Sequence, residues 1–130
     1  MNWNPDWIPA MNGFIPEQEV VSYYANCDIL VFPTYFPEGF PMALFNAVGA
    51  GMPVITTKIR AANDYLTEPE NCLWVKSRAA DDVVTAIHKL LESAKLMAEM
   101  SMNNKVKAKV FARDQVAAEL AAIFNEVISK

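Results

Sequence analysis

The chain has 130 residues, of which 53% are hydrophobic and 20% charged; this excludes intrinsic disorder and suits one domain with a sizeable core. The formal net charge of -4, with no basic face evident in the sequence, argues against non-specific binding to nucleic acid. Cys27 and Cys72, the two cysteines, have neither metal-ligand nor redox spacing and read as reduced, buried thiols.

Residues 1–12 read as an irregular segment, with two tryptophans, two prolines and three asparagines in no period. With no basic residue at its start and no apolar core segment it is not a signal peptide, and no run approaches the roughly 18 apolar residues of a membrane span. The expectation is a cytoplasmic protein without an integral membrane segment. Residues 13–130 then form an α/β domain. Gly13-Phe14-Ile15 reads as a strand end, and Pro16 starts a helix with Glu17 and Glu19 in its first turn and Val20, Val21, Tyr24 and Cys27 on its buried side.

Ile29-Leu30-Val31-Phe32, closed by Pro33, has the pattern of a strand buried on both faces of a parallel sheet. A loop from Thr34 to Gly39 follows; Thr34 is a candidate to cap the strand end, and Tyr35 and Phe36 are candidates for a lid. Pro41 suits the start of a helix carrying Met42, Ala43, Leu44, Ala47 and Val48 and ending at Gly51, before a second strand, Pro53 to Thr57. Such a crossover places ligands at the carboxyl end of the sheet. The amides of Met42 and Ala43 would hold a phosphate at the positive end of the helix, Glu38 would accept hydrogen bonds from sugar hydroxyls, and Asn46 shares the face of Met42 and Ala43. A nucleotide sugar matches that layout, with no cofactor or metal required. Helix initiation alone also explains Pro41, and solvation alone explains Asn46.

Lys58 to Asp64 reads as a loop on the ligand side, where Lys58 and Arg60 either meet phosphate charge or are simply solvated. The turn Glu68 to Asn71 leads into a strand, Leu73 to Val75. Val83, Val84, Ile87, Leu90 and Leu91 make one helical stripe, with Ser77 as candidate cap and Asp81 and Asp82 in the first turn. His88 falls on the polar side with Asp81, Thr85 and Glu92, a poor place for a catalytic base or metal ligand. A second stripe of Leu96 and Met100 fades through Asn103 and Asn104 into Lys105, Lys107 and Lys109. Val116, Leu120, Ile123, Phe124 and Val127 have the spacing of a last helix that packs cleanly.

The segment Pro33-Thr34, Glu38-Gly39-Phe40-Pro41-Met42-Ala43-Leu44, Ala47, Gly51, Pro53 and Val54 resembles the donor-binding segment of retaining GT-B glycosyltransferases, a group that includes capsule and lipopolysaccharide transferases. The resemblance extends over roughly residues 13–128, the second half of that family's C-terminal domain, and implies a partial Rossmann-like fold: a small parallel sheet flanked by helices, with a helical C-terminus. It implies that Glu38 serves the donor sugar and that Gly39, Phe40, Met42 and Ala43 belong to the donor site. Where the family has a second glutamate for the ribose, this chain has Asn46, a change worth about 1 kcal/mol of hydrogen bonding. Where the family has paired glycines, it has Ala61 and Ala62.

The implied function is the donor-binding portion of a glycosyltransferase, inactive in isolation because the acceptor half of the cleft is not in this stretch; the alternative is a non-catalytic remnant or interaction module. The strand Ile29 to Phe32 would be left with an open edge. Self-association as a symmetric dimer burying that edge with Trp3 and Trp7 is the favoured cover; a partner chain supplying the missing half and the N-terminal segment folding back are the alternatives.

Overall fold

A computed structural model describes residues 14–129. In chain order these form α1 (Glu17–Ala25), β1 (Leu30–Phe32), α2 (Met42–Gly49), β2 (Val54–Thr57), α3 (Arg60–Tyr65), β3 (Cys72–Val75), α4 (Ala80–Leu91), α5 (Ala94–Ala108), a 3-10 turn (Lys109–Phe111) and α6 (Arg113–Ile128). The three strands pair in parallel in the order β1-β2-β3, with Leu30 opposite Val54 and Val54 opposite Cys72. This is the partial Rossmann-like arrangement expected: a small parallel sheet, flanking helices and a helical C-terminus.

β2 is the centre, and all four of its residues are buried. Because strand side chains alternate, its neighbours divide into two cores. Leu44, Phe45, Ala47 and Val48 of α2 pack with Val54, Ala61, Ala62 and Cys72 on one face. Leu90 of α4 and Met100 of α5 pack with Ile55, Leu73 and Val75 on the other. Each large side chain fully removed from water contributes about 1.5–3 kcal/mol. The end of α2 is set by a Schellman motif: Gly51 has a φ of 73°, its N–H donates to Val48 O at 2.9 Å, and the Met52 N–H donates to Ala47 O at 2.9 Å.

A polar clip locks α5 to the amino end of the sheet. Asn104 is fully buried; its amide nitrogen donates to Met52 O at 2.8 Å and to Asn71 O at 3.0 Å, and its side-chain oxygen accepts from Asn71 Nδ2 at 3.1 Å. The fading of the apolar stripe at this position therefore marks a satisfied buried amide, where the sequence suggested a weakening core face.

Several expectations need correction. Phe14 and Ile15 are not in a strand, and Trp3, Trp7 and Gly13 lie outside the described residues. α1 forms where expected but buries no residue; Val21 and Cys27 are exposed. Its apolar side opens on a groove of about 770 Å³ between α1 and α2, lined by Phe14, Val20, Val21, Tyr24 and Ala50, so the pattern is there and the opposing surface is not among the described residues. Among the described residues β1 is an edge strand paired on one side, which leaves Val31 exposed instead of buried on both faces.

The stretch after β2 is not a loop, because α3 forms there with Ala61 and Ala62 turned into the core. Ser77 does not cap α4; Ala79 occupies that position, and the Asp82 carboxylate instead accepts the Lys76 N–H at 3.1 Å. Leu91 lies off the buried stripe. α6 does not pack cleanly: it meets the 3-10 turn but buries no residue, so Val116, Leu120, Ile123, Phe124 and Val127 are exposed. Among the described residues no helix is long and apolar enough to cross a membrane.

Candidate ligand site at the carboxyl end of the sheet

Parallel strands put their carboxyl ends on one side, where residues 33–41, 58–59 and 76–79 connect to helices. Threonine hydroxyls hold the first of these connections to the second strand. Thr56 Oγ1 donates to Phe32 O at 2.8 Å, and Thr57 Oγ1 donates to Thr34 O. Thr34 does cap the strand end: its N–H donates to Phe32 O at 2.9 Å, and its hydroxyl accepts the Phe36 N–H at 3.2 Å. One step on, the Glu38 N–H donates to Phe36 O at 2.8 Å. Two short turns thus carry the chain to Glu38, whose side chain is exposed.

The far end of the loop is fixed by aromatic packing. Phe40 stacks on Phe45 of α2 with ring centroids 3.9 Å apart and planes 6° from parallel, and Tyr65 and Phe111 meet both rings edge-on. Pro41, buried in extended conformation, then starts α2. The first-turn amides of a helix have no intrahelical acceptor, and no side chain caps them here. Met42 and Ala43 are exposed, so this positive helix end faces solvent beside the loop of Glu38. The turn is braced from behind by Tyr24, whose hydroxyl donates to Ala43 O at 3.1 Å.

The structure thus brings Glu38, Gly39, Phe40, Met42 and Ala43 into one continuous segment around the start of α2. Asn46 is exposed one turn further along and lines the groove between α1 and α2. Lys58 lines a separate cleft of about 280 Å³ with Asn63, Thr67, Glu68 and Trp74, a lining that includes no residue of α2. Arg60 is the exposed first residue of α3, with a φ of 44°. His88 is exposed on α4. Burial, reinforced by the nearby Glu68 carboxylate and only partly offset by Lys58, pushes the Cys72 thiol up to about 12, so it stays protonated and is no nucleophile near neutral pH.

Sequence reasoning missed the supports of this site. Tyr24, Tyr65 and Phe111 come from three other elements, and only the recurrence of aromatic residues hinted at them. Arg78 lies over the Tyr35 ring at 4.5 Å and has a φ of 58°, in a turn where nothing but the absence of glycine is visible in the sequence.

A family model described as Glycosyl transferases group 1 matches residues 10–107. A Campylobacter jejuni N,N'-diacetylbacillosaminyl-diphospho-undecaprenol alpha-1,3-N-acetylgalactosaminyltransferase is 27% identical over 110 residues, covering 85% of this chain and 29% of the relative. Sucrose-phosphate synthase from Thermosynechococcus elongatus superposes with a TM-score of 0.81 at 20% identity, covering 90% of this chain and 29% of that one. Anabaena HepE in complex with UDP superposes at 0.67 with 21% identity, covering 77% and 29%, and HepE has also been solved with UDP-glucose. The fold is therefore that of a GT-B C-terminal domain. The chain spans about three-tenths or less of the length of the curated relatives it matches, from 12% to 31%.

Proposed function

The chain belongs to the glycosyl transferases group 1 family, and on that footing we propose that it is the donor-binding portion of a retaining glycosyltransferase using a nucleotide-activated sugar. The observation that carries this reading is the uncapped first turn of α2, open to solvent beside the loop of Glu38 at the carboxyl end of a parallel sheet. Phosphate oxygens would accept from the Met42 and Ala43 amides, with Gly39 and Phe40 shaping the approach. The Glu38 carboxylate would accept hydrogen bonds from the donor sugar and Asn46 would exchange them with the ribose. Lys58 and Arg60 would supply positive charge from the side. No cofactor is required beyond the donor itself. The UDP and UDP-glucose complexes of HepE, a neighbour in fold, support a nucleotide sugar as the ligand class.

The isolated chain is expected to show no turnover. Holding donor and acceptor together accounts for roughly 7–11 kcal/mol of barrier lowering, and this stretch supplies one wall of such a cleft. A second copy of the chain or a chain carrying the missing half would cover the open edge of β1. The test is titration with uridine, guanosine and adenosine diphosphate sugars followed by amide chemical shifts. Binding should move the Met42 and Ala43 amides, and Asn46→Glu should tighten it several-fold, in line with about 1 kcal/mol. Shifts confined to other elements, with the first turn of α2 unmoved, would sink the reading.

A further inference from the structure

The connection between β1 and α2 is anchored firmly at its ends and sparsely in its middle. At the start, Thr34 is tied to Phe32, Phe36 and Thr57. At the finish, Phe40 stacks on Phe45 and Pro41 is buried. Between them Tyr35 to Gly39 are exposed, and a side chain added at Gly39 would meet open space. Among the described residues, one contact reaches this middle from a distant part of the chain. Arg78, in the connection after β3, places its guanidinium carbon 4.5 Å from the centroid of the Tyr35 ring, and that ring lies 4.3 Å from the ring of Phe36.

Arg78 makes this contact from a backbone conformation that is unfavourable for it. Its φ of 58° lies in the left-handed region, which glycine adopts freely and a residue with a β-carbon does not. Glycine would make the turn without strain and would offer nothing to Tyr35. Arginine offers a planar, permanently charged group suited to an aromatic face.

We propose that Arg78 is a positioning residue: by stacking on Tyr35 it ties the β1–α2 loop to the β3–α4 turn, and so fixes the place from which Glu38 meets its ligand. The clamp is a property of the loop itself; its bearing on the donor sugar rests on the function proposed above. An exposed contact of this kind is expected to bias the loop about two- to fivefold toward its ordered form.

The experiment uses the 130-residue chain and its Arg78→Gly, Tyr35→Phe and Tyr35→Leu variants. Nitrogen-15 relaxation should give backbone order parameters for residues 35–39 that are lower in Arg78→Gly and Tyr35→Leu than in the parent, with Tyr35→Phe, which keeps the ring, like the parent. Arg78→Gly should melt no lower than the parent, because relief of the left-handed backbone offsets the lost contact. Its affinity for UDP-glucose should fall roughly two- to fivefold. Unchanged order parameters in both Arg78→Gly and Tyr35→Leu would overturn the clamp. A loosened loop with undiminished UDP-glucose affinity would overturn its positioning role. If the parent chain does not bind UDP-glucose, the affinity comparison is made with whichever guanosine or adenosine diphosphate sugar it binds; binding of none of the three classes would remove the donor reading, and the relaxation data would still decide the clamp.

Discussion

β2 and α6 both carry large apolar side chains, yet they finish in opposite surroundings. Ile55 of β2 is 0% exposed, whereas Phe124 of α6 is 62% exposed. β2 has a strand on each side and helices over both faces; α6 meets a 3-10 turn. α1 stands with α6, since its Val20 and Val21 look into a groove. The difference teaches that periodicity specifies which residues are available for burial, while burial itself, and the stability that comes with it, needs a second surface in register.

Truncation should break the comparison open most plainly. Leu44→Ala and Ile55→Ala remove fully buried side chains and should each cost about 2–5 kcal/mol in urea unfolding, whereas Val21→Ala and Phe124→Ala should stay within about 0.5 kcal/mol. Equal losses in the two pairs would mean that the α1 and α6 faces are covered in solution. Such a result would favour the self-associated form expected for the open β1 edge.

Asn104→Leu sharpens the contrast inside the well-covered region. The substitution keeps approximate size but leaves Asn71 Nδ2 and the carbonyls of Met52 and Asn71 without the Asn104 bonds, and should cost about 3 kcal/mol. A smaller loss belongs to Gly51→Ala: with a φ of 73° and the Lys105 side chain beside the new methyl, it should destabilise by about 1 kcal/mol, read as a lower unfolding midpoint.

The two thiols serve as reporters of the same contrast. Near pH 8 a thiol reagent should modify the exposed Cys27 in the native chain and reach Cys72 only on unfolding. Because folding raises the Cys72 pKa from 9.0 to about 12, the unfolded chain loses that proton first. The associated stability is complete below pH 9 and declines as pH climbs through the window to 12. Replacing Cys72 by alanine should remove that part of the alkaline decline, measured as unfolding midpoint against pH.

Much of the fold was legible. Ile29 to Phe32, Pro53 to Thr57 and Leu73 to Val75 each locate a strand to within one residue at its start, and Pro41 and Gly51 bracket α2 as their backbone preferences dictate. α3 escaped because six residues, two of them small alanines, carry too little periodicity to outweigh the loop-like charges of Lys58 and Arg60. Burial at Cys27, Leu91 and along α6 was read from spacing alone, which is blind to whether an opposing surface exists. Of the candidate site, the segment Glu38 to Ala43 was local and therefore visible. Its braces, Tyr24, Tyr65, Arg78 and Phe111, act across the chain and leave no motif.

Asn104 bonds to chain segments that meet only after the β2–β3 crossover has closed and α5 has docked on it, so its amide clip forms late in assembly. An interaction made that late belongs to the native side of the folding barrier and governs how long the assembled state persists. In stopped-flow chevrons, Asn104→Leu should therefore steepen escape from the native state by raising the unfolding rate, with the refolding limb nearly unmoved. A slowed refolding limb would place the clip in the nucleus instead.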